Sequence, residues 1–339
     1  MLKDNFKKKT ILVTGGTGSF GKKFIEILLK KYDPKKIICY SRDELKQFDL
    51  SNKLTDPKKK LRFFIGDVRD SKRLTQAFED VDIVVHAAAL KQVVSAEYNP
   101  FEVVQTNIIG TQNVCEAILK TSVKKAVLLS TDKAVSPVNL YGATKLAAEK
   151  LFISSNNYNT KKKFSVVRYG NVFFSRGSVA AVFYKKKTKE LLLTDKKMTR
   201  FNITINEAVE FVIRCTKTMW GGETFVPKMD SLRIEDIIKA IKPTKGFKII
   251  GSRPGEKIHE ELINKNDTSI VIEFNKYFAI LPNIMEFFKW KMNDFIKNSS
   301  EKKGIILPRS FEYSSGNNKN FLSISEIKKL IVSHSETEI

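Results

Sequence analysis

The stretch TILVTGGTGSFG, residues 10–21, joins an apolar run to a turn that contains three regularly spaced glycines, Gly15, Gly18 and Gly21. TILVT predicts a buried strand, and the segment through FIEILLKKY predicts a helix. In such a turn Gly15 permits the bend, Gly18 lets the backbone approach a pyrophosphate, and Gly21 lets the helix pack on the sheet. The residues expected to contact a dinucleotide here are Gly15, Thr17, Gly18, Ser19, Phe20 and Gly21.

Five further apolar runs follow at regular intervals, with amphipathic segments between them. They are KIICY (36–40), LRFFI (61–65), DIVVHAA (82–88), AVLLS (126–130) and FSVVRYG (164–170). Continuous apolar strands separated by helices indicate a parallel sheet covered on both faces. We therefore predict an α/β fold, a doubly wound parallel (Rossmann) sheet, with a smaller C-terminal substrate-binding domain. Residues 1–175 are assigned to the cofactor-binding domain, with 200–225 as a segment that can return to it, and 176–339 to the second domain and tail.

Composition excludes several classes of function. The 339 residues are 42% apolar and include three widely spaced cysteines, so the core needs neither disulfides nor a metal. The net charge of +23 comes mostly from lysines that are dispersed along the chain, which argues against nucleic acid as a partner. No apolar run reaches the ~18 residues of a membrane span, and no signal peptide is visible. We expect a cytoplasmic protein that binds neither metal, nucleic acid nor membrane.

The second predicted strand ends in ICYSRDE, and this end usually selects the dinucleotide. An acid there binds the ribose of NAD, whereas Ser41 and Arg42 suit the 2′-phosphate of NADP. Lys46 adds a third contact, while Asp43 argues the other way, and a surface salt bridge is the alternative role for Arg42. NADP is favoured over NAD. The other residues expected along the adenine, ribose and pyrophosphate are Asp67, Val68, Ala87, Ala88 and Ala89.

The segment NLYGATKLAAEKLF (139–152) predicts a helix on which Tyr141 and Lys145 share one face. An ammonium beside a phenol is expected to lower the phenol pKa from about 10. The phenolate then takes a proton from a hydroxyl while hydride leaves the same carbon for nicotinamide. Thr131, at the end of the fifth strand, supplies a hydroxyl beside this pair.

This combination resembles the extended short-chain dehydrogenase/reductase family over nearly the full chain. Directly after Thr131 come Asp132 and Lys133, where sugar-nucleotide dehydratases carry an acid and a base, commonly Asp-Glu. The Asp-Lys pair is similar to that of the inverting UDP-N-acetylglucosamine 4,6-dehydratases, which start pseudaminic acid synthesis. The motifs that share this resemblance are HAAALKQV (86–93), EYNPFE (97–102), NLYGATK (139–145), RYGNV (168–172), SRGSV (175–179), MTRF (198–201) and RPGEKIHE (253–260).

The resemblance implies a mechanism. Tyr141 deprotonates the sugar 4-hydroxyl as hydride moves from C4 to a tightly bound NADP, which is regenerated in each cycle. A neutral Lys133 then removes the C5 proton, and a protonated Asp132 donates to the departing C6 hydroxyl. Return of hydride to C6 with inversion at C5 gives UDP-2-acetamido-2,6-dideoxy-β-L-arabino-hex-4-ulose. Burial and Lys145 are expected to lower the Lys133 pKa from about 10.4, and a buried Asp132–Lys133 ion pair is the alternative.

Further residues are expected around the substrate. Arg200 and Arg253 are the candidates for the UDP pyrophosphate, with Arg176 second, and Lys91 faces the substrate or the nicotinamide. The full set of expected substrate contacts is Lys91, Asn171, Arg176, Thr194, Arg200, Arg253 and Glu256. Phe174 is bulkier than expected and either fills core or narrows the sugar pocket.

The family implies a homo-oligomer, a dimer or a hexamer. The alternatives that the sequence leaves open are a retaining 4,6-dehydratase, a 4-epimerase of a UDP-sugar, and a non-catalytic NADP-sensing protein. The intact set of Thr131, Asp132, Lys133, Tyr141 and Lys145 argues against the last.

Overall fold

A computed structural model gives the fold and describes residues 6–159, 161–251, 253–266, 269–285, 288, 290–298 and 303–335. The strands are β1 (Thr10–Thr14), β2 (Lys36–Ser41), β3 (Leu61–Ile65), β4 (Ile83–His86), β5 (Lys125–Thr131), β6 (Lys163–Tyr169), β7 (Asn171–Val172), β8 (Leu191–Leu193), β9 (Thr199–Ile203), β10 (Thr224–Pro227), β11 (Asp230–Arg233), β12 (Phe247–Ile249), β13 (Glu261–Ile263), β14 (Val271–Glu273), β15 (Tyr277–Ile280), β16 (Ile305–Ile306) and β17 (Tyr313–Ser314). The helices are α1 (Ser19–Lys31), α2 (Glu44–Lys53), α3 (Ser71–Ala77), α4 (Val93–Tyr98), α5 (Pro100–Val104), α6 (Gly110–Lys120), α7 (Leu140–Ser154), α8 (Val179–Lys185), α9 (Ile205–Thr218), α10 (Ile234–Ile241), α11 (Met292–Asn298) and α12 (Ile324–Ser335).

Within these residues, ten strands form one sheet in the order β16-β14-β15-β10-β6-β5-β4-β1-β2-β3. The six predicted strands are β1 to β6, and each pairs in parallel with its neighbours. Their order, 3-2-1-4-5-6, is that of doubly wound dinucleotide-binding sheets, which place ligands outside the carboxyl ends of the strands. The predicted fold class is confirmed.

The strands are apolar throughout because helices cover both faces of the sheet. Along β1, Ile11 and Val13 point into one core layer and Leu12 into the other. The first layer is closed by α1 and α9, the second by α3, α6 and α7. Each amphipathic segment between the strands therefore buries its apolar side against the sheet. No helix in the described part of the chain is both long and apolar enough to cross a bilayer.

The sheet takes more of the C-terminal half than we expected. Strand β10 pairs in parallel with β6 after α9 has packed beside α1, as the assignment of 200–225 allowed. Strands β15, β14 and β16 then extend the same sheet in antiparallel fashion, although residues 271–306 were assigned to the second domain. These strands are only two to four residues long, so they leave none of the alternation that marks β1 to β6.

A separate core lies beside the carboxyl ends of the central strands. It is built from α8, α10 and α12 with β8, and among its buried residues are Phe173, Phe174, Leu191, Ile237 and Ile327. Two segments that lead away from it, MTRF (198–201) and RPGEKIHE (253–260), run back toward the end of β5. This arrangement covers the edge of the sheet where a ligand would lie.

Candidate active site

The glycine turn between β1 and α1 is built so that side chains would not fit. Gly15 has a φ of +66°, and a Cβ there would lie 2.9 Å from the backbone nitrogen of Ala88. A Cβ on Gly21 would lie 2.5 Å from the Cα of Gly16. Gly18 caps α1 without a side-chain hydrogen bond, which leaves the first-turn amides for an anion. This geometry fits a pyrophosphate in the cradle.

Other predicted cofactor residues lie around this turn. Thr14 fixes the chain after β4, since its Oγ1 accepts from the amides of Ala87 and Ala88 at 3.2 and 3.3 Å. The ring of Phe20 stacks on Phe24 in the core, and Val68 is buried in the other layer, so these two would meet a cofactor through their backbones. The remaining predicted residues of the turn and of the segment after β4 are Thr17, Ser19 and Ala89, and their contacts stay predictions.

The residues at the end of β2, which were predicted to select the dinucleotide, differ in exposure and in their partners. Ser41 is buried and its Oγ accepts from Gln47 Nε2 at 3.0 Å. Arg42 is 53% exposed and lies 3.5 Å from Asp67 Oδ2. Asp43 caps α2 by accepting from the Lys46 amide at 2.9 Å, and its carboxylate also pairs with the Lys46 ammonium. Asp43 and Lys46 therefore pair with each other. Arg42 is the more exposed of the two cations, and its pair with Asp67 is the surface salt bridge that the sequence left open as its alternative role.

Arg176 lies within electrostatic reach of Asp43 and Lys91. The Asp43 carboxyl has a lowered pKa, chiefly through Lys46, and the charge of Arg176 contributes. The pKa of Lys91 is lowered, chiefly because the protein around it displaces water from the ammonium and also because the charge of Arg176 repels it. A Cβ on the next residue, Gly177, would lie 2.8 Å from Gln92 Nε2. The SRGSV segment thus passes over the chain that follows β4, between the Lys91 and Asp43 regions.

The acid and base predicted after β5 form one buried ionic cluster. Asp132 is fully buried, and its Oδ1 accepts from Thr131 Oγ1 at 2.9 Å and from Lys133 Nζ at 3.0 Å. The Lys133 ammonium also lies 3.4 Å from Asn171 Oδ1 and 3.1 Å from Glu260 Oε1. Glu260 was missed as a functional residue, although it is the last letter of the motif RPGEKIHE.

The protonation state of this cluster differs from our expectation. Burial, with a smaller effect of Glu260, raises the pKa of Asp132 despite the nearby Lys133, which suits a carboxyl that must donate a proton. Burial acts to lower the pKa of Lys133, but Asp132 and Glu260 together raise it above the ordinary lysine value. The predicted lowering was wrong for the ligand-free protein, because a second carboxylate faces the amine.

Tyr141 and Lys145 lie on one face of α7, as predicted, and both are buried. Lys145 Nζ donates to the Leu129 carbonyl at 2.7 Å, and burial lowers its pKa to about 8 against the opposing charge of Glu149. Burial raises the pKa of Tyr141 to about 12, although Lys133 and a hydrogen bond with Thr131 act in the opposite direction. The predicted lowering of the phenol pKa is therefore not found without ligands.

The two arginines predicted for the UDP pyrophosphate differ in exposure. Arg200 is buried, with Nη1 donating to the carbonyls of Thr199 and Ile258 and Nε lying 3.6 Å from Glu260 Oε1. Its guanidinium thus contacts the ionic cluster through Glu260. Arg253 is exposed, and Glu256 accepts from Thr194 Oγ1 at 3.1 Å.

The loop that carries Arg253 and Glu256 is fastened beside Tyr141. Asn139 Nδ2 donates to the Gly255 carbonyl at 2.9 Å, and Lys257 Nζ donates to the Val135 carbonyl at 2.6 Å. A small cleft lies between the loop and the cluster, and it is lined by Lys133, Val138, Asn139, Gly255, Lys257 and Glu260.

Phe174 fills core. It is 5% exposed, and its ring centroid lies 5.8 Å from that of Phe173 and 5.6 Å from that of Tyr184. Its φ of +58° is unusual for a bulky residue. Of the two roles that the sequence left open, the structure shows the packing one.

A second buried ion pair anchors α7 to the sheet. Arg168 on β6 donates from Nε and Nη2 to the two Glu149 carboxylate oxygens, and its Nη1 bonds the Leu262 carbonyl. We predict that Arg168→Met lowers the free energy of unfolding by about 3–5 kcal/mol, because it leaves Glu149 buried and uncompensated. Urea unfolding measures this loss. Lys31→Met, which breaks the exposed pair with Glu210, is the control and should leave the free energy of unfolding nearly unchanged; equal losses would contradict the prediction.

Comparison with known proteins agrees with this geometry. Residues 11–282 match the family described as polysaccharide biosynthesis protein. The chain is 50% identical over 336 residues, 98% of this chain and 99% of the relative, to a UDP-N-acetylglucosamine 4,6-dehydratase (inverting) of Campylobacter jejuni subsp. jejuni serotype O:2. The X-ray structure of Pen from Bacillus thuringiensis aligns with a TM-score of 0.86 at 35% identity, over 98% of this chain and 99% of that one.

A more distant structure supports the fold. DesIV, a dTDP-glucose 4,6-dehydratase from Streptomyces venezuelae solved with NAD and TYD bound, aligns with a TM-score of 0.66 at 19% identity. The alignment covers 74% of this chain and 86% of that one. The sequence-derived family assignment is confirmed. The chain belongs to the polysaccharide biosynthesis protein family, within the extended short-chain dehydrogenases/reductases.

Proposed function

We propose that the protein is a UDP-N-acetylglucosamine 4,6-dehydratase that inverts the configuration at C5. The observation that carries the proposal is the contact of Lys133 with Asp132, 3.0 Å apart and directly after Thr131. An acid and an amine at this position supply the two proton transfers that a dehydration needs and a simple epimerisation does not. The 50% identity to the Campylobacter jejuni enzyme along nearly the whole chain supports the same reaction and substrate.

The residues divide the reaction between them. Tyr141, hydrogen-bonded to Thr131, removes the proton of the sugar 4-hydroxyl, and Lys145 holds the end of β5 through the Leu129 carbonyl. Lys133 removes the C5 proton that the 4-ketone has acidified. Asp132, whose pKa is raised by burial, donates to the C6 hydroxyl as it departs as water. A bound nicotinamide dinucleotide supplies the acceptor and the donor of hydride.

We also propose NADP as the dinucleotide. The glycine cradle supports a nicotinamide dinucleotide, as does the likeness in fold to DesIV with NAD bound. Arg42 supports the 2′-phosphate, because it is the exposed cation at the end of β2 while Asp43 is occupied as a helix cap. The positions of Lys91 and Arg176 on this side of the site add positive charge near the dinucleotide.

The reaction can be tested by NMR spectroscopy in deuterated water. Incubation of the purified protein with UDP-N-acetylglucosamine should give a 4-keto-6-deoxy sugar with deuterium at C5 and the L configuration. A retaining dehydratase gives the D configuration, and a 4-epimerase leaves the C6 hydroxyl intact. No product would identify a sensing protein and would contradict the proposal.

The choice of dinucleotide is tested by Arg42→Ala. We expect NADP affinity to fall about 10- to 100-fold, since a hydrogen bond to a charged group contributes about 1.5–3 kcal/mol. NAD affinity should stay within a factor of about two, because NAD lacks the phosphate. Fluorescence titration of both dinucleotides measures this, with Arg62→Ala, an exposed arginine on β3 bonded to backbone carbonyls, as the control. Equal losses for NAD and NADP would argue against a 2′-phosphate contact.

A homo-oligomer stays a prediction. Large apolar side chains are exposed on α4 at Val94 and Tyr98 and on α5 at Phe101, which supports burial of this surface between copies of the chain.

A further inference from the structure

We propose that Glu260 is a positioning residue that accepts the proton of Lys133 and so turns this lysine into the base. The inference rests on the proposed dehydratase function and gives a role to Glu260, to which the sequence analysis assigned none. Glu260 precedes β13, and its side chain reaches the cluster at the end of β5.

Two hydrogen bonds to Ser315 fix the backbone of Glu260. Its amide donates to Ser315 Oγ at 2.9 Å, and its carbonyl accepts from the Ser315 amide at 2.8 Å. The residue is 2% exposed, and Oε1 lies 3.1 Å from Lys133 Nζ. Among the described residues, its second oxygen, Oε2, is buried without a hydrogen-bond partner. A buried carboxylate oxygen that lacks a donor is costly, and protonation of the carboxyl is one way to relieve that cost.

The charges of the cluster leave one proton acceptor for Lys133. Arginine side chains do not lose their proton in proteins, so the mobile protons belong to Asp132, Lys133 and Glu260. Asp132 must hold a proton in order to donate it to the C6 hydroxyl. Lys133 must lose one in order to attack the C5 proton. Glu260, in direct contact with the ammonium, is the carboxylate that remains to receive it.

The transfer balances as follows. One N–H bond of the Lys133 ammonium breaks, an O–H bond forms on Glu260, and the electron pair stays on nitrogen. The amine then forms a new N–H bond to the C5 hydrogen, and the C–H electron pair enters the enolate of the 4-ketone. Burial acts to raise the pKa of Glu260, but the charges of Lys133 and Arg200 lower it below the usual value. Transfer of the proton from Lys133 to Glu260 is therefore uphill in the ligand-free protein. It requires no exchange of protons with solvent, and the rate should therefore be nearly constant across neutral pH.

Glu260→Gln tests the proposal, because glutamine keeps the size of the side chain and cannot accept the proton. At pH 7 we expect kcat to fall about 100-fold, the lower range for general acid–base catalysis. Lys133 must then lose its proton to solvent, so log kcat should rise with a slope near one as pH increases from about 7 to 9.5. KM and the affinity for NADP should change little.

Other profiles would overturn the proposal. If Glu260 only holds Lys133 as a cation, its removal lowers the lysine pKa and raises kcat at pH 7. If Glu260 is only a structural anchor, the loss is the same at every pH. Glu260→Asp retains an acid and should keep a flat profile at reduced rate. Glu261→Gln, next in the chain and bonded to Asn264, is the matched control with wild-type kinetics.

A measurement that needs no turnover separates this inference from the proposed function. The ¹³Cε shift of Lys133, assigned with Lys133→Arg, reports its titration in the NADP-loaded protein. The pKa of Lys133 should be lower in Glu260→Gln than in the wild type, since one of its two anions is lost. An unchanged pKa overturns the proton sharing even if the wild type converts the substrate. A lower pKa is expected from proton sharing and from electrostatic holding alike, so the slope of log kcat against pH in Glu260→Gln decides between them. A wild type that makes no keto sugar refutes the function.

Discussion

Replacement of Lys133 by methionine will reduce formation of the 4-keto-6-deoxy sugar by about 10²- to 10⁴-fold, the contribution of a positioned general base. Methionine keeps most of the length of the side chain and removes the amine that contacts Asp132 and Glu260. Oxidation at C4 does not use this amine. Stopped-flow absorbance should therefore show NADPH forming after substrate is mixed with the variant, while the step at C5 is blocked and deuterium does not enter the sugar.

The controls for this variant are cofactor affinity and stability. NADP binding should be unchanged, because the glycine turn is a separate part of the site. Loss of the cation leaves Asp132 and Glu260 buried together, so unfolding should become easier by several kcal/mol, in the range of about 3–5 kcal/mol for a broken buried pair. Wild-type turnover and deuterium incorporation by a folded Lys133→Met protein would refute the base.

Tyr141→Phe, which removes one oxygen atom, should lower activity as much as Lys133→Met does. It should act one step earlier, at the oxidation of C4. In the proposed mechanism the phenol deprotonates the 4-hydroxyl, so its loss should again reduce activity by about 10²- to 10⁴-fold. In this variant neither NADPH nor keto sugar should form, whereas Lys133→Met should still accumulate NADPH. The pair of variants thus separates the oxidation at C4 from the elimination across C5 and C6.

Tyr169→Phe is the matched control for Tyr141→Phe. Tyr169 on β6 is also buried, and the two phenols are close enough for Tyr141 to contribute to the raised pKa of Tyr169. Loss of the Tyr169 hydroxyl should leave the formation of NADPH and of keto sugar unchanged. Formation of NADPH by Tyr141→Phe at the wild-type rate would show that another group deprotonates the 4-hydroxyl.

The sequence determined the framework of this protein. The strands predicted from apolar runs agree with β1 to β6 within about two residues at each end, and the turn from Gly15 to Gly21 joins β1 to α1 as expected. The spacing of Tyr141 and Lys145 placed both on one helix face. These features depend on residues that are neighbours in the chain, and periodicity and turn geometry record such neighbours directly. The strands β14 to β16 were missed because two to four residues are too few to show a pattern in the sequence.

Only the tertiary structure decided the charges in the site. The pattern Thr131-Asp132-Lys133 showed an acid beside a base, but the pKa of each depends on what faces it through space. The fold brings Glu260 and Arg200 to the end of β5 from two distant segments, and a second carboxylate raises the lysine pKa that burial alone would lower. It likewise made Asp43 a helix cap and brought Arg176 within electrostatic reach of Asp43. Electrostatic energies follow distance and burial, which a linear order of residues does not contain.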